Sequence, residues 1–298
     1  MQIARFKLSV FAILLAMSPL AASAANFGTF NLRYDNPGDV AKGHAWTDRA
    51  PVIAGILRFH DFDVFGTQEG LPHQMTDLHA LLPEHDLVSY GRNDGANEGE
   101  HVAIFYKKDK YRKLESGRFW LSQTPEAASV GWDAMFPRIC TWVKLEETAT
   151  GKSLCFFNVH FDHRGTQAKV ESARLLLAQI KKIAGELPVA LVGDFNLDQN
   201  TDGYKQLHDD SLLADAYETA EVRFALTGTV NRFDPGYQTD TRIDHVFLSS
   251  QFKVKRYGVL TDTYRSAVGE TDENGNDKAK AHVAKVPSDH FPVLVGVE

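Results

Sequence analysis

The chain has 298 residues, of which 43% are hydrophobic and 24% charged, and its net charge is −7. That composition argues against a disordered or low-complexity polypeptide, and the acidic balance with no long basic patch weakens the case for a protein that grips nucleic acid by charge alone. A metal-assisted nuclease stays open, because bound divalent cations supply positive charge locally.

The chain begins MQIARFKLSVFAILLAMSPLAASAA, with Arg5 and Lys7 ahead of an apolar run that closes in small residues. This is the pattern of a secretory signal peptide, and the run is too short to span a bilayer comfortably. The expectation is a leader over residues 1–24, cut after Ala24 or, as second choice, Ala25. The protein is then secreted or periplasmic and not an integral membrane protein. Losing Arg5 and Lys7 takes the net charge from −7 to −9. The remaining stretch, 25–298, contains no Pro-rich or Ser-rich linker and no repeat, which favours one large domain.

Apolar runs read as strands, in order, at NFGTFNLRY (26–34), FDVFGTQ (62–68), HVAIFYKK (101–108), RICTWVKL (138–145), SLCFFNVHF (153–161), PVALVGDF (188–195), RIDHVFLS (242–249), FKVKRYGVL (252–260) and FPVLVGV (291–297). Helical spacing appears at Val52, Ile53, Ile56 and Leu57, over LPHQMTDLHALL (71–82), and from Thr166 to Ile183. Strands outnumber helices and many are joined by tight turns, so the fold class is α/β (α+β), with mixed sheets and helices on their outer faces. Cys140 and Cys155 flank the turn-like EETATGK. They are placed to approach each other across a hairpin, and an export signal permits a disulfide; a pair of buried free thiols is the alternative.

Polar residues close these strands. Asn31 ends the first and Glu69 follows the second; Asn158, His160 and Asp162 share one face by parity; Asp194 and Asn196 share another. Asp244 lies in the run RIDHVFLS, and Asp289 and His290 lie in SDHFPV ahead of the last strand. Oxygen donors such as Asn31, Glu69 and Asp289 suit Mg²⁺ or Mn²⁺, whereas no close Cys or His pairs show zinc-ligand spacing. Two histidines beside acids suit proton transfer near neutral pH. Together these groups point to attack of water on a phosphoester.

The ordered set NLRY, TQEG, NVHFDH, GDFN, RIDHVFLS and SDHFPV resembles the endonuclease/exonuclease/phosphatase superfamily over essentially all of residues 25–298. NVHFDH stands where the abasic-endonuclease branch carries a tyrosine-containing motif, which places the chain nearer the deoxyribonuclease, sphingomyelinase and deadenylase branches. The resemblance implies a four-layer α/β sandwich, two mixed β-sheets packed face to face with helices outside, and an active site at one rim. By the same resemblance Glu69 is the principal metal ligand, with Asn31 and Asp289 completing the metal side. Asp194 orients or deprotonates the attacking water, Asn196 contacts the phosphate, His160 binds the scissile phosphate, and His290 acts with Asp244 as an acid–base dyad.

Arg138 and Asp162 are further candidates for substrate contact, the alternatives being a surface ion pair and an exposed loop acid. His245 alternates away from Asp244 and reads as a packed strand histidine; Trp46, Trp120 and Trp132 read as groove lining or core. The function that follows is an exported, Mg²⁺- or Mn²⁺-dependent hydrolase of a phosphoester: nucleic acid, a small phosphate ester or a lipid head group. The alternative is a non-catalytic binding protein that reuses the fold. No obligate protein partner is implied.

Overall fold

The computed structural model describes residues 24–268 and 281–298, so the expected leader lies outside the described residues apart from Ala24. Two mixed sheets face each other. The first has seven strands in the spatial order Val222–Phe224, Val254–Val259, Val293–Val297, Ala25–Asn31, Val64–Gly70, His101–Lys107 and His85–Gly91. The second has six, in the order Tyr111–Trp120, Ile139–Glu147, Ser153–His160, Val189–Asp194, Asp244–Leu248 and Ala214–Asp215. A separate hairpin pairs Tyr264–Val268 with Ala281–Lys285.

Alternating side chains divide the apolar residues among layers. Phe27, Val64, Ile104, Phe156, Val192, Val246 and Val295 meet in a dry core between the sheets. The opposite parity, at Phe157, Val159, Leu191 and Phe247, packs against Leu176, Leu177 and Ile180 of the helix Thr166–Ala184. On the other flank, Ile53, Leu57, Met75 and Leu78 of the helices Trp46–Phe59 and Pro72–Leu81 cover Phe30, Phe65 and Phe105. The result is the four-layer sandwich with helices outside.

All nine expected strands and three expected helices are present, with boundaries moved by a few residues. The first strand stops at Asn31, because the next residues turn away into a loop that holds Arg33 at φ 56°. Tyr111–Trp120 has no expected counterpart: it is an edge strand whose residues 112–115 are exposed, so it lacks an apolar run. The two cysteines do lie on neighbouring strands, but the register sets Cys140 opposite Val159 and Cys155 opposite Lys144. Both are free and buried, and burial raises both thiols, that of Cys155 to about 11.

A polar link crosses the dry core. Asn158 Nδ2 donates to the carbonyls of Thr67 (2.9 Å) and Ala103 (2.8 Å), and its Oδ1 accepts from Gln68 Nε2 at 2.7 Å. Gln68 also donates to Thr29 Oγ1 at 2.9 Å. Gly66 makes room for it: a Cβ there would lie 2.4 Å from Asn158 Cγ. Asn158→Ala strands an amide and two carbonyls away from water, which should lower unfolding free energy by about 3 kcal/mol. Urea denaturation measures this, and a loss below about 0.5 kcal/mol would show the link to be dispensable.

Candidate active site

The ends of strands from both sheets converge on one rim. Asn31 and Glu69 come from adjacent parallel strands of the first sheet, and a bulge between Thr67 and Gly70 swings Glu69 out of the ladder at φ 65°. His160 and Asp194 are paired residues of adjacent parallel strands in the second sheet, and Asp194 pairs in turn with Asp244. Asp289 and His290 precede the strand Val293–Val297. Arg33, Glu69 and Asn196 all hold positive φ without being glycine, a concentration of backbone strain at the rim.

The contacts knit these side chains together. Asn31 Nδ2 donates to Glu69 Oε1 (3.0 Å) and Asp194 Oδ2 (2.9 Å), bridging the two sheets. The Asn196 backbone N–H donates to Asp194 Oδ1 at 2.9 Å, and its side-chain amide to the Phe161 carbonyl at 3.1 Å. His290 Nδ1 lies 2.8 Å from Asp244 Oδ2, while its Nε2 lies 4.0 Å from Asp194. His160 Nε2 is 3.7 Å from Asp194, and its Nδ1 is 3.8 Å from Glu100. A cleft of ≈ 430 Å³ opens over this array, lined by Glu69, His160, Asp194, Asn196, Asp289 and His290 together with Arg33, Arg92, Glu100, Phe136, Arg138 and His163.

The two histidines carry opposite charge. Burial lowers His160 well below the usual imidazole range, and Arg138 and Arg92 press it further, so it is neutral at pH 7. His290 is equally buried, yet Asp244, Asp194 and Asp289 outweigh desolvation and raise it well above that range. Burial, reinforced by the nearby Asp244, lifts Asp194 to about 7. Asp289 is raised by burial, with His290 opposing.

The donor set fits a hard divalent cation. Ligand atoms of Glu69, His160 and Asp194 lie within 4.8 Å of one another, as do those of Asp194, Asp244 and His290. Acidic groups held this close favour a bound cation. Asn31 presents its nitrogen to the carboxylates while its Oδ1 accepts from the Arg33 N–H at 2.9 Å, so it would bind metal through oxygen after its amide turns over.

Of the residues expected from sequence, Glu69, His160, Asp194, Asn196, Asp289, His290 and Arg138 face the cleft, with Asn31 and Asp244 immediately behind it. Asp162 does not line it. Strand pairing ends at His160, parity lapses, and Asp162 turns to accept from the Arg164 and Gly165 N–H groups (2.9 and 2.8 Å) and to meet Arg138 Nε at 3.4 Å. His245 packs in the core, as its alternation implied, with Nε2 at 2.9 Å from the Leu197 carbonyl. Trp46 and Trp120 are buried and Trp132 half-buried; Trp120 Nε1 holds the Arg92 carbonyl at 2.8 Å.

Sequence reasoning missed several groups. Arg33, Arg92, Glu100 and Phe136 reach the cleft from loops or loop edges whose positions only the packed fold decides. Arg49 is fully buried and donates to the carbonyls of Leu32, Arg33 and Pro287, lashing together the loops beside Asn31 and Asp289. Asn231 and Arg232 N–H groups hold the Asp289 carbonyl, and Thr229 Oγ1 accepts from the Asp244 N–H. The sequence offers no signal for Arg49, since only the packed fold buries it.

The chain belongs to the endonuclease/exonuclease/phosphatase family, whose model matches residues 28–290. A crystal structure of a family protein from Bacteroides thetaiotaomicron superposes with a TM-score of 0.86 at 48% identity, covering 92% of this chain and 97% of that one. A mannosyl-6-phosphatase from the same organism superposes equally well, at 47% identity over 92% of this chain and 99% of that chain. An uncharacterized protein of Acanthamoeba polyphaga mimivirus is 30% identical over 273 residues, 85% of this chain and 92% of its own length.

Both raised groups keep protons that the unfolded chain releases sooner. For Asp194 that stabilisation is complete below the unfolded value of 3.8 and fades as pH rises to about 7. For His290 it is complete below 6.5 and fades as pH rises through the folded value. Urea stability in EDTA should therefore fall as pH is raised from about 6 to 9, and Asp244→Asn should flatten the upper part of that decline. Stability that rises over this range would contradict the charge assignments.

Proposed function

We propose that this protein is a Mg²⁺- or Mn²⁺-dependent phosphoester hydrolase that cleaves phosphomonoesters of small alcohols by a single-step attack of water. The observation that carries the reading is Asp194, near-neutral in acidity, standing between a neutral His160 and a protonated His290 beside the Glu69 carboxylate. A bound cation at Glu69, Asp289 and Asn31 would polarise a phosphoryl oxygen and offset charge developing on it.

The chain's own groups divide the remaining work. Asp194, fixed by the N–H of Asn196 and the amide of Asn31, orients a water and accepts its proton; an acidity near 7 suits that task. Neutral His160 and the Asn196 amide contact phosphoryl oxygens. His290, held as an imidazolium by Asp244, stabilises the transition state and has a proton to give to the departing oxygen. Arg138 lines the cleft, and Asp162 holds its guanidinium in place.

A monoester is favoured over a polynucleotide because the cleft is compact and its guanidinium groups already face carboxylates, leaving little unmatched charge for a phosphate backbone. The 47% identity to a mannosyl-6-phosphatase supports the same choice. A purely binding role is disfavoured by the completeness of the proton-handling array. Export is part of the reading: residues 1–24 carry the leader pattern, and a strand that begins at Ala25 accords with a mature chain starting there.

EDTA should abolish phosphate release and Mg²⁺ or Mn²⁺ restore it; full activity after thorough chelation refutes the metal assignment. Glu69→Gln should weaken activation by Mg²⁺ more than it disturbs folding. His290→Ala should lower kcat by roughly 10² to 10⁴ while moving KM far less. Asp244→Asn combined with it should add little, since the two act as a unit. Losses that simply multiply would dissolve the dyad. Intact mass of natively produced protein should show a start near Ala25 or Asn26, and a chain beginning at Met1 would overturn export.

A further inference from the structure

The cleft has two ends, separated by the His160 ring. One of its nitrogens looks toward Asp194, the other toward Glu100. Beyond it, Glu100 Oε2 lies 2.5 Å from Arg92 Nη1 and 4.0 Å from Arg138 Nη1. The Arg92 guanidinium sits 4.8 Å from the centre of the Phe136 ring, which is 37% exposed at the rim. His163, neutral because burial and Arg138 lower it, stands beside Phe136 and 3.2 Å from Arg138 Nη2.

The charges at this far end are matched: Arg92 by Glu100, and Arg138 by Asp162 and Glu100. A second phosphate entering here would meet the Glu100 carboxylate before it found a free cation, at a cost set by like charges in a partly dry site. A neutral group bearing several hydroxyls meets no such conflict. A carboxylate accepts from O–H, guanidinium N–H groups donate to hydroxyl oxygen, and an exposed ring edge covers C–H surface.

We propose that Arg92, Glu100 and Phe136 form the subsite for the departing alcohol, and that this alcohol is a neutral polyol. The proposal rests on the phosphomonoesterase reading and names the chemistry that selects among monoesters. Arg92 and Phe136 are then specificity-determining residues, set apart from the groups that handle the phosphoryl unit.

The test compares two monoesters, a hexose 6-phosphate and propyl phosphate, which has no further hydroxyl, with inorganic phosphate as an inhibitor. The wild-type protein with Mg²⁺ should prefer the hexose ester. Arg92→Met should cut kcat/KM for that ester on the order of 10- to 100-fold, at least ten times more than for propyl phosphate. The inhibition constant for phosphate should move less than about threefold, within a factor the lost contact does not touch. Phe136→Ala, which leaves the ion pairs intact, should erode the same preference, and Phe136→Tyr should restore it.

Equal losses on both esters, with phosphate inhibition weakened in step, would show that Arg92 binds the phosphoryl group and would overturn the proposal while the monoesterase reading stands. A wild-type preference for a 5′-phosphorylated oligonucleotide over the hexose ester would also overturn it. Failure of the wild type to cleave either monoester would instead refute the underlying function.

Discussion

At the centre of the sandwich, one asparagine amide from the second sheet makes three hydrogen bonds to three residues of the first. Asn158 reaches the carbonyls of Thr67 and Ala103 and the side chain of Gln68 across a largely hydrocarbon core. Such bonds contribute modestly when made and cost much more when one partner is missing, so they fix which residue faces which. Apolar packing alone tolerates sliding; this link does not. His160 lies two residues beyond Asn158 on the same face, and Glu69 lies next to Gln68. The register set in the core is therefore the register of the cleft, where Asn31 repeats the crossing by bonding both Glu69 and Asp194.

That fixed register places more acid than a protein interior ordinarily accepts. Asp194 and Asp244 are almost wholly buried, and the site tolerates them by holding protons: one on His290, and one shared near neutrality by Asp194. The same burial strips the proton from His160, where Arg138 and Arg92 press in the same direction and the acids Asp194 and Glu100 stand at 3.7 and 3.8 Å. Two imidazoles on one rim thus differ in charge because each faces a different strand end. Pairs of titratable groups driven apart in this way mark sites of acid–base work. Fold alone would not license that conclusion, since one sandwich serves many purposes.

Much of this was legible in the sequence. Asp194 and Asn196, or Asp289 and His290, announce themselves because a polar pair closing an apolar strand has few structural reasons to exist, and several such closures point to one rim. Parity failed at Asp162, where the chain left the strand two residues early and backbone N–H groups claimed the carboxylate. Arg92, Glu100 and Phe136 were not legible, since loop residues carry no period and their convergence depends on how separate turns pack. The hairpin of Cys140 and Cys155 was legible as a hairpin, but the observed register stands four residues from the one that would set them opposite each other, and register is decided by facing side chains.

The central claim is that water held by Asp194 attacks phosphorus directly, with no covalent intermediate on the protein. It is tested most directly by the stereochemical course at phosphorus, using a phosphorothioate monoester made chiral with one heavy oxygen isotope and hydrolysed in water carrying another. One in-line displacement predicts inversion of configuration, with the solvent oxygen in the released thiophosphate. Retention, which requires two displacements through a phosphorylated side chain, would contradict the account.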